Sequence, residues 1–555
     1  MHPTNLEGRV NKPGTTIDLA AASLHDLLAG HSVALVEERL RAYLVRQRWF
    51  GAKARMIGGV RVLPWVELPA LPAALVFLEV TYADSGDPPD TYQLPLAFTT
   101  HAAADTIGAI APASILATLN TPDGPTILHD ATAREDVRQT LLALIESNSI
   151  LTVTSNLGPG SSSLSARRSP VFTADRTAIP LPARVGSAEQ SNTSILYGDK
   201  FILKLFRRLQ PGENPDTEVS RFLTEVAHFP NIPPFLGDIR LSSLATPSAP
   251  PTTLAMLQGL VANDGDGWQH TLAELARFYQ SVATLHPALQ IAEVRIPAGT
   301  SLSAAALLGR RTAELHLALA TPTDDAAFAP ELHTAADLGA DAARIAAQIT
   351  VALDALARVV PTLADPATAA SAERVLSRRG QLLATAAAVA QIPPTDSGLR
   401  IRIHGDYHLG QLLCAHGDYI ILDFEGEPAR SLAERRTKQS PLRDVAGMLR
   451  SFSYAAHAGL DAFLQVNPSA HAALQPWAQA WTNAVSTEFL TAWRATLAAN
   501  PRLSPQPPHA DSLLHACLLE KALYELLYEL NNRPTWLPIP LAGILALPPS
   551  KAASS

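Results

Sequence analysis

The 555-residue sequence predicts an α+β chain in which a strand-bearing N-terminal half precedes a large helical C-terminal half. Three observations carry this. Apolar, β-branched and aromatic runs read as strands at 74–82 and 91–98 and as hairpins near 193–207 and 411–424. From about 268 to 395 the chain is alanine- and leucine-rich and patterned for helix, with polar or Pro-bearing breaks near 287, 322 and 393. A composition of 47% hydrophobic and 17% charged residues is that of packed domains, not of a disordered chain.

Taken in order, residues 17–48 read as helices that end in Arg48-Trp49-Phe50-Gly51-Ala52-Lys53. The two strand-like runs that follow are separated by the turn-rich Ser85-Gly86-Asp87-Pro88-Pro89. His129-Asp130 precedes a helix over roughly 133–146, and the stretches Gly158 to Ser165 and 245–252 read as loops. The first hairpin has arms Thr193–Tyr197 and Lys200–Arg207 around Gly198-Asp199; the second has arms Gln411–Ala415 and Tyr419–Phe424 around His416-Gly417-Asp418.

Several function classes are disfavoured. A net charge of −8 argues against a nucleic-acid coat and offers no basic membrane patch. Two cysteines, Cys414 and Cys517, make no disulfide framework and sit in no metal-ligand spacing. The N-terminus lacks the basic start and apolar core of a signal peptide, and no uninterrupted apolar run reaches the ~18 residues of a membrane span. The expectation is a cytoplasmic protein without nucleic-acid or membrane partners. On that expectation the sequon Asn192-Thr193-Ser194 is not a glycosylation site.

Phosphoryl transfer from ATP needs donors over the phosphates, a cation on them, metal ligands and a carboxylate at the acceptor hydroxyl. The sequence offers each in a workable order. Lys204 sits in the apolar strand Phe201–Phe206 and needs an anion, unless it is an edge-strand lysine reaching water. Glu218, fourteen residues on in a helix, is its candidate partner. The small, hydroxyl-bearing Gly186–Ser194 leads into the hairpin without being a Walker loop. Asp406 lies in Ile403-His-Gly-Asp-Tyr-His-Leu-Gly-Gln411, and Asp423 ends the apolar Ile420-Ile-Leu422. The Gln411 amide and the Asp423 carboxylate are oxygen donors of the kind a hard cation takes. A zinc pair from His404 and His408 is the competing reading, disfavoured because Gly405 and Gly410 oppose a helix there.

The run His404-Gly-Asp-Tyr-His-Leu-Gly-Gln411 with Leu422-Asp-Phe-Glu-Gly-Glu-Pro428 resembles the aminoglycoside-phosphotransferase-type kinases, which usually carry asparagine where this chain has Gln411. Gln411, Asp423–Pro428 and Ser440–Phe452 resemble the maltokinases in particular. So do Gln47-Arg-Trp-Phe-Gly51, Glu189–Ser194, Glu520–Tyr524 and Glu529–Pro534. The resemblance reaches both ends and the centre; 295–395 matches poorly, and the chain is longer than is usual for that family.

The resemblance implies a bilobal protein-kinase-like fold with an N-terminal cap at 1–100, a nucleotide-binding sheet region at 101–258 and a helical C-terminal lobe at 259–555. It implies Asp406 as catalytic base and Gln411 and Asp423 as Mg2+ ligands. Lys204 with Glu218, the segment Gln190, Ser191, Asn192 and Thr193, and an adenine hinge at Met256, Leu257 and Gln258 would hold ATP. Arg443-Asp444 would brace the catalytic loop. It further implies maltose as acceptor, maltose 1-phosphate as product, a place between trehalose and glycogen, and association with a trehalose synthase.

The acceptor side also has a physical reading. In the helix expected at 519–530, Leu519, Leu523, Leu526 and Leu530 fall on one face, and Lys521, Tyr524 and Tyr528 on the other. Two rings and an ammonium in register suit a sugar, though the same pattern also fits a solvated surface face. Another small hydroxylated acceptor (an aminoglycoside, choline or a different sugar) and a non-catalytic kinase-like nucleotide binder are the alternatives.

Overall fold

The computed structural model describes residues 17–18, 23–30, 32–83, 86, 88–121, 124–154, 162–173, 181–186, 191–242, 250–283, 285, 293–507 and 509–548. Two compact units emerge: Met1–Glu218 with Pro234–Val261, and Val219–Pro233 with Ala262–Ser555.

Among the described residues the first unit holds two seven-stranded sheets. The strands expected at 74–82 and 91–98 are Ala73–Tyr82 and Asp90–Thr100, and both are central in the first sheet. Its order is Ile17–Asp18, Ile115–Thr121, Gly124–Asp130, Asp90–Thr100, Ala73–Tyr82, Ile57–Glu67, with Arg208–Leu209 added beside Asp90–Thr100. The helices Leu24–Ala29 and Val33–Leu44 put Leu27, Leu28, Leu40 and Leu44 into the core of this layer. The sheet does not stop at residue 100, because Gly124–Asp130 pairs with the far half of Asp90–Thr100 and brings Ile115–Thr121 with it.

The second sheet runs Ile150–Thr152, Ser163–Arg168, Phe235–Leu241, Thr252–Gly259, Phe201–Leu205, Thr193–Tyr197, Ala183–Val185. The first expected hairpin is here, paired from Thr193↔Leu205 to Tyr197↔Phe201. Helix Glu135–Glu146 packs on this layer through Val137, Leu141, Leu142 and Ile145.

A buried ion pair ties the two layers. Arg207 Nη2 lies 2.8 Å from Asp130 Oδ2, with both side chains nearly inaccessible. The Arg207 Nε donates to Thr193 Oγ1 at 2.8 Å, and its guanidinium lies 4.8 Å from the Trp49 ring centroid. Phe50 and Trp49 in turn pack on Tyr92. The Arg48-Trp49-Phe50-Gly51 segment is therefore a structural cover over this charge pair.

The second unit is helical, with Gly267–Val282, Gly299–Leu319, Ala335–Val359, Pro366–Ser377, Arg379–Val389, Leu442–Val466, His471–Leu497, His509–Asn532 and Pro538–Ala546 as its main elements. The break expected near 287 lies outside the described residues; those near 322 and 393 are present. A further break at 360–365 follows from Pro361 and Pro366, the latter at a helix start where its missing N–H costs nothing. The second hairpin is shorter than expected, Leu412–Ala415 with Asp418–Ile421.

Among the described residues one helical stretch, Ala335–Thr362, is long and apolar enough to cross a membrane by length and composition. Its buried stripe, including Leu338, Ile345, Ile349, Leu353 and Leu356, belongs to the core of this unit.

Replacing Arg207 by Met strands the Asp130 carboxylate, and breaking a buried pair from one side costs about 3–5 kcal/mol. Urea unfolding of Arg207→Met is expected to show that loss, with a large part recovered in Arg207→Met/Asp130→Asn. An unchanged midpoint in the single variant would remove the pair from the stability of this unit.

Candidate active site

The loop 403–411 is positioned by one carboxylate. Asp444, in the first turn of Leu442–Val466 and 1% exposed, accepts the His404 N–H through Oδ2 and the Gly405 N–H through Oδ1, both at 2.9 Å. Its Oδ2 also lies 3.2 Å from His316 Nε2. Trp493 Nε1 can only donate, and it points at His316 Nδ1 from 3.1 Å. Nδ1 is therefore the acceptor and Nε2 carries the proton that goes to Asp444. Burial pushes the Asp444 carboxyl up, but these donors outweigh it and hold it below the usual range.

Two glycines let the loop reach this carboxylate. Gly405 has φ +85°, and at Gly447 a Cβ would stand 2.6 Å from the Tyr407 carbonyl oxygen. The Tyr407 hydroxyl bonds Thr312 at 3.0 Å, and Arg311 holds Asp418 at the start of the hairpin's second strand. Helix Gly299–Leu319, in the region the resemblance matched poorly, thus supplies Arg311, Thr312 and His316 to the loop's support.

His404 joins the two expected chemical residues. Its Nε2 lies 2.7 Å from the Leu422 carbonyl, so that nitrogen donates, while Nδ1 accepts the Asp406 N–H at 3.4 Å. The Leu422 N–H returns to the Gln411 carbonyl at 2.9 Å. Asp406, Gln411 and Asp423 are thereby drawn to one end of the hairpin. Asp423 adopts φ +57°, an uncommon non-glycine conformation of the kind found at functional sites. With both ring nitrogens of His404 engaged and no helix between it and His408, the zinc-pair reading loses its geometry.

Beside Asp406 lies a cavity of about 450 Å3 whose walls include Lys521, Tyr524, Tyr528, Tyr454, Trp268 and Trp536. The helix expected at 519–530 is the C-terminal half of His509–Asn532, with Leu519, Leu523 and Leu526 fully buried. Lys521 Nζ lies 3.1 Å from Asp406 Oδ1 and 3.0 Å from Glu427 Oε1. Burial opposes the Lys521 charge, but these two carboxylates keep it protonated. Burial likewise pushes Glu427 up, and Lys521 with Arg430 overcomes it, holding the carboxyl at about 2. The neighbouring Glu520 gathers Arg344, Arg430 and Arg443.

The other carboxylates of the cavity are matched too. Glu525 holds Arg450 at 2.7 Å, and Glu529 holds Arg533 at 2.8 Å and the Tyr454 hydroxyl at 3.0 Å. Arg533 also lies over the rings of Tyr528 and Trp536.

Sequence reading singled out Lys521, Tyr524 and Tyr528 but not Trp268, Tyr454, Arg533 or Trp536. Glu427, Glu520 and Arg533 stood inside the quoted motifs; Trp268 and His316 had no local signal.

In the first unit, Lys204 is not an edge lysine. Its strand lies between Thr193–Tyr197 and Thr252–Gly259, and Lys204 stands opposite Met256. Nζ lies 3.0 Å from Oδ2 of the buried Asp216, two residues before the expected partner Glu218, in the first turn of Pro215–Glu225. Glu218 is itself 2% exposed. Met256 and Leu257 are laddered on both sides and buried in the sheet core, and Gln258 stands next to the strand's end. Thr193 opens the hairpin and Ser191 and Asn192 precede it, while Gln190 lies outside the described residues.

The family model described as the maltokinase N-terminal cap domain matches residues 43–133, a span that takes in the strands from Ile57–Glu67 to Gly124–Asp130 of the first sheet. A glucosamine kinase from Streptacidiphilus jiangxiensis is 28% identical over 365 residues, covering 65% of this chain and 73% of that protein. One from Mycolicibacterium smegmatis (strain ATCC 700084 / mc(2)155) is 29% identical over 364 residues, covering 65% and 78%. The solved structure of a glucosamine kinase in complex with glucosamine, ADP and inorganic phosphate is similar with a TM-score of 0.61 at 21% identity, covering 92% of this chain and 99% of that one.

The fold is the kinase-like fold of that glucosamine kinase, and a phosphotransferase activity is supported. Residues 43–133 match the maltokinase N-terminal cap, so the first sheet lies largely within a cap domain of that type.

If His316 holds Asp444 through a neutral Nε2–H, His316→Ala should lower kcat by about 10- to 100-fold, while the KM for nucleotide changes by less than about threefold. His316→Gln, whose amide can donate to the same oxygen, should restore part of the loss. Equal kcat in wild type and His316→Ala would limit His316 to packing.

Proposed function

We propose that the protein transfers the γ-phosphoryl group of ATP to the anomeric hydroxyl of maltose, giving maltose 1-phosphate and ADP. The observation that carries this reading is the cavity beside Asp406: about 450 Å3, ring-lined, and with its carboxylates each matched by a cation. An aromatic wall offers ring faces to a sugar, and Lys521, the tyrosine hydroxyls and the carboxylates offer hydrogen bonds to its hydroxyls. The volume lies within the range of small-molecule pockets, roughly 300–1,000 Å3, and suits two pyranose rings. The maltokinase cap supports the same acceptor.

In this reading Asp406 receives the proton of the attacking hydroxyl as the new O–P bond forms and the bond to ADP breaks. Lys521, bonded to Asp406 and Glu427, keeps the base aimed. Lys204, held by Asp216, lies on the phosphates, and Ser191 to Thr193 lie over them. Gln411 and Asp423 are oxygen donors at one hairpin end and fit Mg2+, which takes one or two protein ligands and completes its shell with phosphate and water. Bound there, the ion would neutralise charge on the phosphates. The proposed setting is the cytoplasm, on the path from trehalose to α-glucan and in association with a trehalose synthase.

Glucosamine is the second reading, because the relatives named above are glucosamine kinases. Against it stands the cation already paired with every carboxylate of the cavity: an ammonium would enter beside Lys521, Arg450 and Arg533 with no free counter-charge.

An acceptor panel with ATP and magnesium, read by ADP release, is expected to give kcat/KM for maltose at least tenfold above that for glucosamine. The reverse order would overturn the maltose assignment while leaving the kinase intact.

Asp406→Asn should fold, bind ATP and lose about 10²- to 10⁴-fold in turnover. Asp423→Ala should be about as damaging and should shift magnesium titration to much higher concentration. Unchanged metal dependence in Asp423→Ala would remove that residue from the ligand set.

A further inference from the structure

The helical unit contains a second, larger cavity of about 650 Å3, walled by the helices Leu442–Val466, His471–Leu497, His509–Asn532 and Pro538–Ala546. It lies outside the machinery described above, yet it shares one residue with it. Arg450 lines this cavity, and the same guanidinium holds Glu525 in the wall of the cavity at Asp406.

Arg450 is 5% exposed. Its Nε and Nη2 are engaged by Glu525 and by the Ile539 carbonyl. Nη1 makes no hydrogen bond among the described residues and lies over Gly543, so closely that a side chain there would overlap it. Gly543 also lines the cavity, so this N–H group stands at its wall.

The chemistry of the walls selects the kind of occupant. Among the described residues no Asp or Glu lines the cavity, so it offers no carboxylate counter-charge to a cation, and His457 at its wall is already paired with Asp461. The Arg450 charge is already matched by Glu525, so there is little excess positive charge for an anion. An apolar guest would desolvate the amides and hydroxyls of Gln475, Gln479, Asn483 and Ser486 without replacing their bonds. Such groups both donate and accept, as sugar hydroxyls do. The Gln479 Nε2 donates to Asn483 Oδ1 at 3.0 Å, which presents the Gln479 carbonyl and the Asn483 amide protons outward together. Leu460, Leu518 and Ile539 supply apolar faces for sugar rings.

We propose that this cavity is a second carbohydrate site that takes a neutral oligosaccharide, longer than the acceptor, with one hydroxyl accepting from Arg450 Nη1. An occupant that fixes Arg450 also fixes Glu525, so it alters acceptor affinity; this coupling rests on the acceptor assignment, whereas the site itself does not.

Equilibrium dialysis of maltotetraose against the full chain tests the site without turnover. Wild type should bind it, Gln479→Leu/Asn483→Leu should weaken binding at least tenfold, and Tyr524→Ala should leave it within about twofold. The double variant should keep its kcat on the acceptor when no oligosaccharide is present. Absence of binding to wild type, equal binding to the double variant, or loss in Tyr524→Ala alone would overturn the proposal. Tighter binding of glucose 1-phosphate than of maltotetraose would overturn its neutral character. If maltose proves not to be the acceptor, the dialysis result stands unaffected.

Discussion

The Asp444 carboxylate receives two backbone N–H groups from the loop and one imidazole N–H, and the geometry of the loop follows from that convergence. A buried carboxylate is unfavourable by itself; with three donors it becomes a fixed acceptor whose orientation the backbone must respect. Gly405 turns under this constraint, His404 swings its ring to Leu422, and the Leu422 N–H ties back to Gln411. The positions of Asp406, Gln411 and Asp423 are thus consequences of one electrostatic anchor. The anchor's own support comes from two distant helices, through His316 and Trp493.

A second constraint acts on the acceptor side. Glu520 and Lys521 are adjacent on one helix and face different partners: three arginines gather on the glutamate, while Asp406 and Glu427 share the lysine. Burial and the neighbouring Arg344 and Arg430 hold the Arg443 guanidinium down to about 10, which still leaves it charged at neutral pH. The helix is therefore pinned by charge at the point where it meets the loop, and by Leu519, Leu523 and Leu526 along its buried face. Such pinning fixes the rings of Tyr524 and Tyr528 before any ligand arrives, which lowers the ordering cost of binding.

In the first unit the same logic serves the sheets. The Arg207–Asp130 pair joins the layers under the cover of Trp49, and the hairpin that carries Lys204 begins beside it at Thr193. The cap-matching segment 43–133 contributes both Trp49 and Asp130 to this pair, so cap and second sheet share one buried charge.

The local elements were legible in the sequence because their signals are local. Strand alternation and Gly-Asp turns marked the hairpins, and 3.6-residue spacing placed Leu519, Leu523 and Leu526 opposite Lys521 and Tyr524. The grouping of Asp406, Gln411 and Asp423 was also legible, since one hairpin connects them. Only the tertiary structure decided the rest. Lys204 reads equally as a phosphate lysine or an edge lysine until its strand is seen with a neighbour on each side, and its 3.0 Å approach to Asp216 is a contact no spacing rule announces. The first sheet runs on to Asp130 because strand pairing, which sequence pattern does not specify, recruits two more strands. His316 lies 128 positions from Asp444, and nothing near it in the chain marks its role. Its hydrogen bond exists because packing brings one imidazole between a donor and an acceptor, a relation that only three-dimensional proximity creates.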